Sequence, residues 1–226
     1  MARVSIPEME ATGHTPETAF SQIMLLAESA TERLSVGHRK NDLTDATGTL
    51  LAMGQKFLKQ AYSLQTLADL EQDAMSCYGL IRMQADNLCV MYRIYANKNE
   101  DETTFRYLLY FLDGNRQRKE TLSCDYQYDG HCTKEEYDSI HKQVGSAIAN
   151  AESVINTCLK LLDNHPYKTL NPTLFQKIVD AGNWKYETFD ATLTKPKRQT
   201  WEDLYAQIDI RQNIQSFYSY TSQYVH

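Results

Sequence analysis

The sequence predicts an all-α fold, a helical bundle of about seven helices with two long ones at its centre. Three observations lead there. From Ala74 to Ala96, the residues Tyr78, Ile81, Ala85, Leu88, Tyr92 and Tyr95 recur at alternating steps of three and four, the period of one helical face. Beyond Thr133, the residues Tyr137, Ile140, Val144, Ile148, Ala151, Ile155, Leu159 and Leu162 repeat the pattern over a second long stretch. No segment shows the alternation of a half-buried strand.

Residues 1–14 lack periodicity and read as an N-terminal arm, and residues 15–226 read as one helical domain. Thr15-Pro16-Glu17 supplies a cap, a proline at the first helical position and an acid in the first turn. Phe20, Ile23, Met24, Ala27, Ala30 and Leu34 are the expected inward face of that helix, which ends near Gly37. A second helix is expected from about Thr44 to Leu67. Gly48 and Gly54 each weaken it by up to ~1 kcal/mol relative to alanine, which suggests a close backbone crossing.

The helix over Ala74–Ala96 follows. Met91 and Ile94 widen its stripe, while Leu80, Cys89 and Val90 spread apolar groups round the circumference, so neighbours on several sides are expected. Asp101 is the expected cap of the next helix, with Phe105, Leu108, Leu109 and Leu112 on its stripe and Asp113-Gly114 at its end. Arg116, Arg118 and Lys119 read as a solvated surface, and Leu122 to Cys132 as a loop or short hairpin.

Thr133 and Glu136 form a capping box that opens the second long helix, and Asn164-His165-Pro166 stops it. Asn171-Pro172 opens a short helix closed by Gly182. Trp184 to Arg198 reads as a connection, and Thr200 with Asp203 caps another short helix. The last helix starts near Ile210, with Ile214, Phe217, Thr221 and Tyr224 on its face. No glycine, asparagine or proline ends it, the mark of a helix that continues past His226.

The formal charge of -6 and a pI near 5.5 give no global field that would gather phosphates, so DNA is not an expected partner. There is no signal-peptide pattern and no run approaching the ~18 apolar residues of a membrane span, so a cytoplasmic protein without membrane contact is expected. Five cysteines fit free thiols in a reducing compartment.

No glycine-rich phosphate loop is present, and no cofactor is implied. Cys124, His131 and Cys132 offer three zinc ligands where a closed site wants four. Asp138 and His141 have the spacing of half a di-iron pair, but the second pair is missing. No metal is therefore expected. Arg33 and His38 fit an Arg-x4-His spacing that a chain of this composition produces by chance about once.

A different pair of segments stands out. Ile81-Arg82-Met83-Gln84-Ala85-Asp86 places an i, i+4 charge pair inside an apolar helix, and the chain closes on Tyr220-Thr221-Ser222-Gln223-Tyr224-Val225-His226. The first resembles the Arg-x3-Glu signature of an uncharacterised bacterial family of helical proteins grouped with the HEPN-like folds, with Asp86 in place of the usual glutamate. The second resembles that family's late Ser-x3-His segment. The resemblance implies that Arg82, Asp86, Ser222 and His226 form one polar set.

Two uses of that set are expected. As a clasp, it fixes the last helix against the central one, because a buried charge must be paired. As a catalyst, histidine moves a proton, arginine stabilises a developing phosphorane and the carboxylate orients them, which is metal-independent cleavage of RNA. The favoured function is a binding or self-associating module with a protein partner. The alternative is a HEPN-like ribonuclease or nucleotide-modifying enzyme of a defence or toxin system, with RNA as partner.

Overall fold

The computed structural model describes residues 15–38, 45–71, 73–96, 99–124, 127–208, 216, 219 and 220. Among them are eight α-helices and no strand; Tyr186 and Arg198 form an isolated antiparallel bridge. The fold is all-α. No helix among the described residues is long and apolar enough to cross a membrane. Contacts divide the chain into two compact units, residues 1–91 with 209–226, and residues 92–208.

In the first unit, α1 (Pro16–Gly37) packs on α2 (Ala46–Thr66), which runs into a π-helical turn, Leu67–Glu71. Helix α3 (Ala74–Tyr95) follows and passes into the second unit from Tyr92 onward. Each start has a local cause. Thr15 accepts a hydrogen bond from the Thr18 amide, Asp45 from that of Gly48 and Asp73 from that of Ser76. Between α2 and α3, the Asn87 amide donates to Gln60 Oε1 at 2.9 Å.

Three expectations are corrected here. Helix α1 buries Met24 but leaves Ile23 and Leu34 more than 60% exposed, because its apolar residues form two stripes and α2 covers one. On α3, Cys89, Val90 and Ile94 are buried while Leu88 and Tyr92 stand 39% and 47% exposed, so the buried face of its C-terminal half is rotated away from the expected stripe. Gly48 serves its own cap rather than a helix crossing. A Cβ there would lie 2.2 Å from Asp45 Oδ2, whereas one at Gly54 would meet open space.

The second unit holds the denser core. Helices α4 (Glu100–Leu122) and α5 (Lys134–Asp163) pack as a hairpin, followed by α6 (Pro166–Leu170), α7 (Pro172–Asp180) and α8 (Trp201–Ile208). Asn99, rather than Asp101, caps α4, accepting from the amides of Asp101 and Glu102. The capping box at Thr133 and Glu136 is formed in both directions, and Asn171 caps α7. Gly182 closes α7 at φ +56°, and a side chain there would press on Asp113.

Helix α4 does not stop at Asp113-Gly114. A single glycine costs a helix only about 1 kcal/mol. Arg116 offsets that cost: it leaves the expected solvated surface and donates from Nη1 to the carbonyls of Val179 and Asp180, at 3.0 Å each. Those are carbonyls at the C-terminal end of α7, where a cation is favoured. Lys119 pairs with Glu152 of α5 at 2.8 Å, and only Arg118 of the three stays exposed.

Candidate functional site

Of the four residues in the expected polar set, two can be placed. Arg82 Nε donates to both carboxylate oxygens of Asp86, at 3.2 and 3.1 Å. Ser222 and His226 lie outside the described residues, as do the last helix's positions other than 216, 219 and 220. The Arg82 and Asp86 side chains are 13% and 32% exposed, so water screens the pair. It lies between the ~0–1 kcal/mol of exposed ion pairs and the several of a sealed one.

The other sequence candidates disperse. His38 Nε2 lies 2.5 Å from Asp45 Oδ2 and helps hold the α2 cap, while Arg33 is exposed on α1. Asp138 pairs on the surface with Lys134 at 3.1 Å. His131 is exposed beside Asp129, and Cys124 is exposed as well. Among the described residues no group of three His, Cys, Asp or Glu could hold a metal ion.

Among the described residues, a charged constellation centred on the buried Arg106 and Glu102 lies in the second unit, and sequence reasoning missed it. Arg106 of α4 donates from Nη1 to the carbonyls of Trp184 and Tyr186, at 3.1 and 2.7 Å, and from Nη2 to that of Glu187 at 3.0 Å. Its guanidinium stacks 3.9 Å above the Tyr186 ring. Nη2 also stands 2.5 Å from Glu102 Oε1, close in distance though off the hydrogen-bond line. Glu102 Oε2 accepts from the Tyr167 hydroxyl at 2.9 Å, and Arg93 Nη2 donates to the same carbonyls of Tyr186 and Glu187. Burial, and then the neighbouring Arg106 charge, pull Arg93 down to a pKa of about 10.

His165 completes the cluster. Its Nδ1 accepts from the Tyr167 amide at 3.2 Å, so the proton sits on Nε2, which donates to the Asp101 carbonyl at 3.0 Å. This is a neutral imidazole capping α6. With Arg106 2% exposed and Tyr186 fully enclosed, the cluster fastens the connection after Trp184 onto α4 and offers a ligand no entrance.

The cluster has a pH signature. Burial holds His165 below the ordinary histidine range, against smaller raising effects from Asp101 and Glu102. The unfolded chain therefore takes up the proton first as pH falls. Stability is complete above about pH 6.5 and drops toward the folded pKa, by at most ~1.4 kcal/mol per pH unit. His165→Asn keeps a capping side chain but cannot titrate. Urea midpoints at pH 7.5 and 5.5 should separate less in this variant than in the parent; equal separation would assign the acid sensitivity to other groups.

What the second unit does present to solvent is an apolar groove of about 580 Å³ at the loop end of the α4–α5 hairpin. Leu122, Tyr137, Ile140, Val144 and Ile148 form its walls, with Ser123, Cys124, Gln127, His141 and Gly145 completing the lining. Its origin is legible along α5. The stripe is sealed at its C-terminal half, where Ala151, Cys158 and Leu162 are at most 1% exposed, yet Ile140 near the other end is 57% exposed. Alongside, α4 turns polar after Leu112, through Asp113, Asn115, Gln117 and Glu120, and offers only Leu122 at its end to cover it. Tyr137, at one end of the lining, packs edge-to-face on Tyr128 at 5.3 Å, with the Lys134 ammonium 4.6 Å from the Tyr137 ring.

No family model, no curated protein and no solved structure matches this chain.

Proposed function

We propose that this chain is a helical binding module, and that its groove takes the apolar face of a helix from a protein partner. One observation supports the reading: the α5 stripe, sealed at its C-terminal half, is only half-buried from Tyr137 to Ile148 and leaves Ile140 exposed in a solvent-facing groove. A cavity of this size with mostly apolar walls and a few polar groups at its edge has the usual form of a binding site. The groove runs along about three helical turns of α5, which suits a helix contributing anchors at i, i+3 or i+4, and i+7. A cytoplasmic setting fits the five free cysteines.

The test is a selection of 14-residue amphipathic helical peptides on the chain, with each recovered binder measured again on Ile140→Glu. Burying an isoleucine side chain contributes about 1.5–3 kcal/mol, so a charge at its position should weaken binders at least tenfold. Circular dichroism confirms that the variant is folded. Binders indifferent to Ile140→Glu, or a selection that returns none, would defeat the proposal.

A further inference from the structure

Among the described residues of the first unit the second stripe on α1 is left exposed, and its residue order says what covers it. Ile23, Leu26 and Leu34 are 64%, 72% and 63% exposed, and Ala30 between them is exposed too. With the half-buried Ala19 and with Gly37, they recur at steps of four, three, four, four and three along one edge of the helix. Size alternates along the stripe: small at Ala19, large at Ile23 and Leu26, small at Ala30, large at Leu34, small at Gly37.

We infer that α1 is a homodimerisation helix that pairs antiparallel with α1 of a second copy. The order of sizes decides the direction. A parallel pair in register would set Leu34 on Leu34 and Ala30 on Ala30, giving overfilled layers next to empty ones. Two helices at a uniform axial separation of about 8–10 Å cannot pack both. An antiparallel pair with its two-fold axis beside Leu26 sets Ile23 against the second copy's Ala30 and Leu34 against its Ala19, large into small at the layers on either side of the axis, and leaves one large pair, Leu26 on Leu26, at the axis itself. Such a contact is isologous and closes at two copies, so it makes dimers and not filaments.

The area sets the strength. Ile23, Leu26 and Leu34 expose on the order of 400 Å² per copy, as large as the main apolar patch of a typical monomer, and two copies together fall below the ~1,200 Å² of stable complexes. The dimer is therefore weak and follows concentration. Leu25 and Val36, also exposed, lie on the opposite flank of α1 and serve as controls.

Sedimentation equilibrium of the full chain from about 10 μM to about 1 mM tests this; the range brackets a weak association constant. The mean mass should climb from 26.0 kDa toward twice that value. Leu26→Lys should remove the climb with the helical circular dichroism unchanged, while Leu25→Lys and the groove variant Ile140→Glu should leave it intact. That last arm separates failure here from failure of the groove reading. Oxidising a mixture of Ile23→Cys and Ala30→Cys should yield the cross-link between positions 23 and 30, identified by peptide mass, in preference to 23–23 or 30–30. A chain monomeric at 1 mM, a climb that survives Leu26→Lys, or a predominance of 23–23 and 30–30 links would overturn the inference.

Discussion

Arg106→Met should destabilise the second unit by roughly 3–5 kcal/mol and lower its melting temperature by about 10 °C. The substitution keeps much of the side-chain volume and deletes the charge. Glu102, 9% exposed, then keeps only the Tyr167 hydroxyl, and the Trp184 carbonyl loses its guanidinium donor. A stranded buried carboxylate is the costly part, because its desolvation is then offset by the Arg93 charge alone. Adding Glu102→Gln should therefore recover a good share of the loss, although Arg106 alone binds three carbonyls. Chemical denaturation of the parent and both variants decides the matter. An Arg106→Met protein within about 1 kcal/mol of the parent would mean that the clasp contributes little net stability.

Phe105→Ala should cost a similar amount, about 3–5 kcal/mol, by a different route. Phe105 is completely enclosed, with the rings of His165, Tyr167, Phe175, Tyr186 and Phe189 centred 5.0, 5.3, 5.4, 5.6 and 6.0 Å away. Truncation leaves a void among side chains held by the connection after Trp184, by α6 and by α7, and planar rings collapse into a gap poorly. Phe105→Leu refills most of the volume and should cost under half as much. Denaturant midpoints with an unchanged m-value would assign the loss to the native state. Equal losses for alanine and leucine would show that ring geometry, not filled volume, is what the site requires.

Helix starts were the most legible part of this fold, because the cap is a transaction within three residues. Thr15-Pro16, Thr133 with Glu136, Asn171-Pro172 and Thr200 with Asp203 all cap as their spacing implies. Faces were less legible. Helices α1 and α3 have apolar residues on more than one side, and periodicity cannot choose between two stripes when both have the right period. The buried cluster was harder still. Arg106 meets partners 78 to 81 residues away, so nothing near it in sequence announces the contact. One signal was available: an arginine within Phe105-Arg106-Tyr107-Leu108-Leu109, four residues after Glu102, is a charge that must enter the core with its counter-ion. The groove has the same character. The α5 stripe could be read directly, but that half of it goes uncovered depends on the polar run that α4 places beside it.

The buried cysteines make the two units separately observable. Cys89 lies in the first unit and Cys158 in the second, and each is at most 1% exposed. Burial pushes their thiols up to about 12 and about 11, so almost no thiolate, the reacting form, exists at neutral pH while the chain is folded. Cys124 is exposed and Cys77 and Cys132 half-buried, so these three label early and can be blocked first. A pulse of alkylating reagent along a denaturant gradient then reads out two clocks in one chain, one thiol per unit, and peptide masses tell them apart. Whether the two thiols awaken together or in turn measures the cooperativity of the molecule as a whole.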